Sequence, residues 1–168
     1  MEKKELELYI HIPFCVRKCN YCDFLSFPAD EDTQRQYVKA LCKEIFYYGA
    51  HCRDYVVSTV YIGGGTPSWL WESDMAEIMD AVHKNFALLP DAEVSVECNP
   101  GTVTAQKFAV YRQSGINRIS LGLQSAQNVE LKMLGRIHTW EQFLKTYELA
   151  RSGGFSNINV DLMSSLPG

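Results

Sequence analysis

Three cysteines, Cys15, Cys19 and Cys22, fall within the eight residues CVRKCNYC, half of the six in a chain of 168 residues. Three is odd and the spacing is tight, so disulfides cannot account for all of them. Neighbouring thiolates bind metals, and two kinds of centre fit: an iron–sulfur cluster or a zinc ion. Clusters are ordinarily held by four cysteines, so a set of three leaves one iron open to an outside molecule. Zinc needs a fourth protein ligand, for which His11 in the same segment is the candidate. A second segment, IGGGTP (Ile62–Pro67), lacks side chains at three consecutive positions, which lets a ligand approach the backbone and permits positive φ. It has neither the G-x-G-x-x-G spacing of a dinucleotide fingerprint nor the Gly-Lys-Ser/Thr of a phosphate loop. Taken alone it fits a tight turn equally well.

The elements that must position these residues alternate along the chain. Strands are expected over Leu6–Ile12, Val57–Ile62, Glu93–Glu97, Arg118–Leu123 and Asn157–Met163. Helices are expected near Asp32–Tyr48, Glu72–Asn85, Thr104–Ser114 and Thr139–Ser152, with a short one near Asn128–Leu134. In the first helix Tyr37, Val38, Leu41, Ile45 and Tyr48 form a single apolar stripe. Repeated β-α order implies parallel strands joined by right-handed crossovers.

Parallel strands covered on both faces are apolar almost throughout, and these are not. Leu8, Ile10 and Ile12 oppose Tyr9 and His11; Val94 and Val96 oppose Ser95 and Glu97. Ile119, Leu121 and Leu123 oppose Ser120, Gly122 and Gln124, and Ile158, Val160 and Leu162 oppose Asn157, Asn159 and Asp161. Unpartnered burial of such polar groups costs ~1–3 kcal/mol each, so a polar face needs a polar lumen or solvent. The fold expected is α/β, part of a (β/α) barrel with a polar interior; the alternative is an open sheet with one solvated face. Ligands of α/β sheets bind at the carboxyl ends of the strands. The cysteine loop, the glycine loop, Glu97, Gln124 and Asp161 all fall at or near that rim.

Charged residues make up 21% and apolar ones 46% of the chain, as in ordinary globular proteins. A net charge of −4 argues against a nucleic-acid or anionic-membrane surface. MEKKELELYIHI lacks the apolar core of a secretion signal, and no run approaches the ~20 apolar residues of a membrane span. A cytoplasmic location is expected, where thiols stay reduced and clustered cysteines bind metal. The ending NINVDLMSSLPG reads as a strand and the start of a loop with no helix after it, the expectation for a piece of a longer protein. Cys42, Cys52 and Cys98 read as structural thiols, with a place near the rim after Glu97 as the alternative for Cys98, and His51, His83 and His138 have no partner recognisable in the sequence.

YIHIPFCVRKCNYCDF carries a C-x3-C-x2-C pattern that resembles the signature of radical S-adenosylmethionine (SAM) proteins. With YIGGGTPS, SVECNPGT, RISLGLQS, LGRIH and NINVDLMSSLPG, in this order, the chain is similar over its whole length to the branch holding oxygen-independent coproporphyrinogen III oxidases and heme chaperones. The resemblance implies a partial (β/α)6 barrel truncated after about five strands, residues 1–168 being an incomplete core domain. It implies a [4Fe-4S] cluster on Cys15, Cys19 and Cys22 and SAM on its open iron, cleaved on reduction to a radical that abstracts hydrogen. Matching positions place Tyr9 near cluster and SAM, Tyr21 against adenine, and Gly64, Gly65 and Thr66 along the methionine part. Glu97, Gln124, Arg136 and Asp161 match further polar SAM contacts; for Arg136 a surface ion pair is the competing reading. The oxidases resemble C-x3-C-x2-C-x-C and carry a segment before the first strand. Here Phe24 occupies the fourth cysteine's place and the first strand begins near Leu6, as in the heme-chaperone type. Heme would then be cargo for an unspecified acceptor protein; porphyrinogen oxidation and a non-catalytic zinc module are the other readings.

Overall fold

A computed structural model describes residues 4–166. In chain order they form β1 (Lys4–Ile12), α1 (Glu31–His51), β2 (Tyr55–Gly64), α2 (Glu72–Asn85), β3 (Leu88–Cys98), α3 (Ala105–Gln113), β4 (Arg118–Gln124), α4 (Asn128–Met133), α5 (Trp140–Ser152) and β5 (Asn157–Leu162). The strands make one parallel sheet in sequence order, β1-β2-β3-β4-β5. Each crossover carries a helix, as parallel neighbours require.

Helix starts follow local chemistry. The Asp30 carboxylate accepts the Thr33 N–H ahead of α1 (2.8 Å), and Thr104 accepts the Lys107 N–H ahead of α3 (3.2 Å). Before α5, Thr139 and Gln142 exchange side-chain and backbone bonds in a capping box.

The alternation in the strands decides what each sheet face does. Ile10, Ile12, Val60, Ile62, Val94, Val96, Ile119 and Leu121 bury one face against Val38, Met75, Ile78, Met79, Val82, Phe108, Tyr111 and Phe143. Each fully buried side chain of this kind contributes about 1.5–3 kcal/mol relative to exposure. The opposite face is polar and laid out in rows across the sheet. Tyr9, Tyr61, Ser95, Arg118 and Asn157 are register partners in one row, and Glu97, Ser120 and Asn159 form the next toward the carboxyl ends. Five parallel strands with this layering are part of an α/β barrel, with its polar face inward.

Three strand starts differ from the sequence expectation, β2 among them, which begins at Tyr55 rather than Val57. β1 begins at Lys4, because a charged edge strand tolerates exposed Lys4, Glu5 and Glu7. β3 begins at Leu88, with Leu88 opposite Val57 and then Glu93 opposite Thr59 across an irregularity that absorbs Pro90. A proline in the strand reads as a loop because it has no N–H for the ladder. Among the described residues no helix is long and apolar enough to cross a membrane.

Candidate active site at the carboxyl ends of the strands

A cavity of about 440 Å³ opens at the carboxyl rim. Its lining includes Cys15, Cys19, Cys22, Tyr21, Gly64, Gly65, Thr66, Glu97, Gln124, Arg136 and Asp161. One expected residue is elsewhere. Tyr9 is 61% exposed in the lower row; its hydroxyl meets His11 Nδ1 at 2.9 Å, and its ring stacks on Tyr61. Arg136 is not a surface ion pair, because its guanidinium turns into the cavity.

The glycine loop and the cysteine loop are built together. Gly65 N–H donates to Ile12 O (2.8 Å) and Thr66 N–H to Phe14 O (2.7 Å), which continues the β1–β2 pairing past the strand ends. A Cβ on Gly65 would stand 2.7 Å from Phe14 O and 3.0 Å from Cys15 Sγ, so only glycine lets the two loops touch. The Thr66 hydroxyl donates to Cys15 Sγ at 3.5 Å. Gly64, at φ +121°, gives its N–H to Glu97 Oε2 (3.0 Å), while Tyr61 donates to Oε1 (2.8 Å). Burial and this bond to Glu97 push the Tyr61 phenol far above its ordinary pKa, so Tyr61 remains a donor. With all three loop N–H groups committed, the loop can meet a ligand only through carbonyl oxygens. Beside the Glu97 carboxylate this makes an acceptor-rich corner, suited to an ammonium group.

Across the cavity, Arg136 Nη2 donates to Gly122 O and to Asn99 Oδ1 (both 2.6 Å), and Nη1 reaches Tyr21 OH at 3.4 Å. Asp161 accepts from Ser120 (3.2 Å) and Asn159 (2.7 Å). Gln124 is held at φ 71°, a left-handed conformation that non-glycine residues rarely adopt. It ends β4, where the register with β5 slips.

Several residues of the site escape a reading by type and spacing. Asn99 donates to Thr66 Oγ1 (2.8 Å) and accepts from Arg136, joining the two sides. Its only sequence signal is its place two residues after Glu97. Beneath it, Lys107, 8% exposed, donates to Ser68 O (2.8 Å) and Thr102 O (3.1 Å). Burial lowers its pKa. Ser68 in turn bonds Thr102 (2.5 Å) and receives the Asn99 N–H (3.0 Å). This network fixes the turn after the glycine loop to the loop after β3. Cys98 also lines the cavity, at the rim position beside Glu97, and burial pushes its thiol up to about 12, which keeps it protonated in the metal-free protein.

The donor set also bears on the metal. His11 does not join the cysteines, since its ring bonds Tyr9 OH and the Leu25 carbonyl (3.0 Å). Among the described residues no three His, Cys, Asp or Glu side chains gather around a common point. Cys15, Cys19 and Cys22 line the same cavity, and three thiols without a fourth protein ligand are the donor set that a cluster with one open iron would use.

The chain belongs to the radical SAM superfamily, whose sequence profile matches residues 9–168. It is 43% identical over 163 residues to the heme chaperone HemW of Escherichia coli K12, a match covering 96% of this chain and 43% of that protein. Identity to the heme chaperone HemW of Bacillus subtilis 168 is 37%, over 95% of this chain and 42% of its relative. The solved structure of the radical SAM enzyme HemN, coproporphyrinogen III oxidase from Escherichia coli, superposes with a TM-score of 0.90 at 30% identity, covering 99% of this chain and 38% of that one. The chain therefore spans less than half the length of these relatives.

Proposed function

We propose that this chain is the cluster- and SAM-binding part of a cytoplasmic heme chaperone. The observation that carries the reading is the meeting of three thiols, the glycine loop and the strand-end polar groups around one cavity, in a chain 43% identical to a heme chaperone. Cys15, Cys19 and Cys22 would hold a [4Fe-4S] cluster. When bound, the cluster supplies an open iron for chelating SAM and an electron for cleaving its sulfonium.

The chain's own residues bind and orient. The Glu97 carboxylate and the carbonyls of Gly64 and Gly65 accept from the N–H groups of the SAM amino group, with Thr66 fixing Cys15 behind them. The Arg136 guanidinium offers charge to the carboxylate. Tyr21 covers the adenine, Asp161 accepts from ribose hydroxyls, and Gln124 contributes its amide at the end of β4. Tyr9 backs the site from the row below through Tyr61. Phe24, two-thirds exposed at the cavity edge, stands where the oxidases have a further cysteine. Heme is then the cargo, passed to an acceptor protein, and residues 1–168 are one portion of the core domain.

The likeness to HemN favours a second reading, oxidative decarboxylation of coproporphyrinogen III. The deciding experiment uses the full-length protein, reconstituted anaerobically and assayed for iron and sulfide. SAM, a reductant and coproporphyrinogen III are added, and protoporphyrinogen is followed beside an active oxidase. Protein that binds SAM and takes up heme but forms no product supports the chaperone. Product at a comparable rate makes it an oxidase. Stoichiometric zinc without sulfide removes both.

A further inference from the structure

The two ends of the cysteine loop are held in different ways. At Cys15 the hold is sheet-like: its N–H donates to Phe27 O (3.1 Å), and Phe14 O receives the Thr66 N–H (2.7 Å). From Arg17 to Tyr21 the partners of Arg17, Cys19, Asn20 and Tyr21 lie on one distant turn, Met133–Arg136, at the end of α4, while Lys18 Nζ donates to Phe24 O within the loop (3.1 Å). Asn20 N–H donates to Leu134 O (3.0 Å), Asn20 Nδ2 to Met133 O (2.8 Å), and Arg17 Nη2 to Gly135 O (2.6 Å). Arg136 Nη1 approaches Cys19 Sγ at 3.7 Å and Tyr21 OH at 3.4 Å. The physical reason is the helix end. The last carbonyls of a helix have no intrahelical partner, and here Met133 O at the end of α4 and the next two, Leu134 O and Gly135 O, accept from the cysteine loop. Gly135 is at φ +76°, and a Cβ on it would stand 3.0 Å from Asn20 Oδ1 and 3.2 Å from Asn20 N. Its bare backbone is what lets Asn20 sit down on the turn.

We infer that the Met133–Arg136 turn is a clamp that sets the Cys19–Cys22 arm for ligation before metal arrives, with Asn20 and Gly135 as its positioning residues. The inference rests on the reading of these thiols as cluster ligands. A donor arm held in place loses less freedom on binding, so the clamp acts on cluster uptake and retention. Arg136 serves both the clamp and the SAM side of the cavity, which joins the order of the arm to the SAM pocket.

The test compares wild type, Asn20→Ala, Gly135→Ala and Gly154→Ala in the full-length protein. Gly154 has the same left-handed backbone (φ +86°) but no atom of the cysteine loop near it, so its substitution reproduces the strain alone. Two readouts are taken. One is amide hydrogen exchange over residues 17–22 in the metal-free protein, and the other is the rate of iron loss to a chelator after reconstitution. Asn20→Ala and Gly135→Ala are expected to speed both, Asn20→Ala by about fivefold, the size of one net hydrogen bond; Gly154→Ala should speed neither. Asn20→Gln, which keeps the donor, should recover part of the loss. Unchanged exchange in Asn20→Ala and Gly135→Ala overturns the clamp, and so does faster exchange with unchanged iron loss. If wild-type protein takes up no iron and sulfide, the cluster reading fails and the clamp's role in ligation falls with it, whereas normal uptake with unchanged exchange in the variants overturns the clamp alone.

Discussion

At the scale of single residues, the cysteines and the glycine loop stood out by type and spacing, and they line one cavity. Gln124 and His138 show what spacing leaves out. Gln124 carries left-handed strain worth about 1 kcal/mol, held by its place at the end of β4. Gln124→Gly relieves that strain. Chemical denaturation should show equal or higher stability, while SAM titration of the reconstituted protein shows weaker binding. If SAM affinity stays unchanged, Gln124 is no ligand contact. His138 is 3% exposed with neither ring nitrogen partnered, and burial, then the nearby Arg136 charge, lowers its pKa to about 4, against a smaller opposing effect of the Leu123 backbone. The unfolded chain, with an ordinary value near 6.5, takes the proton first as pH falls. The contribution of a neutral His138 is therefore complete above about 6.5 and lost toward 4, roughly 2 kcal/mol of it by pH 5. Denaturation at pH 7 and pH 5 should show this loss in wild type and a smaller one in His138→Leu. Equal losses would assign the pH dependence to other groups.

At the scale of elements, helices with caps and apolar stripes were readable to within three residues, and the strand start displaced furthest, that of β3, belongs to a strand that contains a proline. Local rules placed α5 well because its start is written in four residues. Thr139→Ala removes one arm of its capping box and should lower stability by about 1 kcal/mol, with iron content after reconstitution unchanged. A loss of iron would show that α5 supports the cavity directly. The polar network of Ser68, Thr102 and Lys107 was invisible at this scale. It joins a turn after β2 to a helix after β3, and nothing in either stretch names the other.

For the whole molecule, the proposed ligands act by mass action. SAM at a hundred times its Kd should raise the unfolding free energy by about 2.7 kcal/mol in cluster-loaded protein. Thermal denaturation with and without SAM measures this, and stripping the cluster with a chelator should abolish it. A SAM shift that survives metal removal would separate the SAM pocket from the thiols. Periodicity and spacing were enough for the order of strands and helices, the apolar face of β1, β3 and β4, and the gathering of the candidate site residues at or near the carboxyl ends. These follow from periodicity and from the crossovers that parallel strands require. It took the folded chain to show that Tyr9 stands below the cavity, that His11 is tied to Leu25, that Asn99 bridges the two sides, and that a helix end more than a hundred residues away grips the cysteine loop. Those outcomes depend on which loops the sheet brings together in space, and a carbonyl left unpaired at a helix end accepts from whatever donor the fold sets beside it.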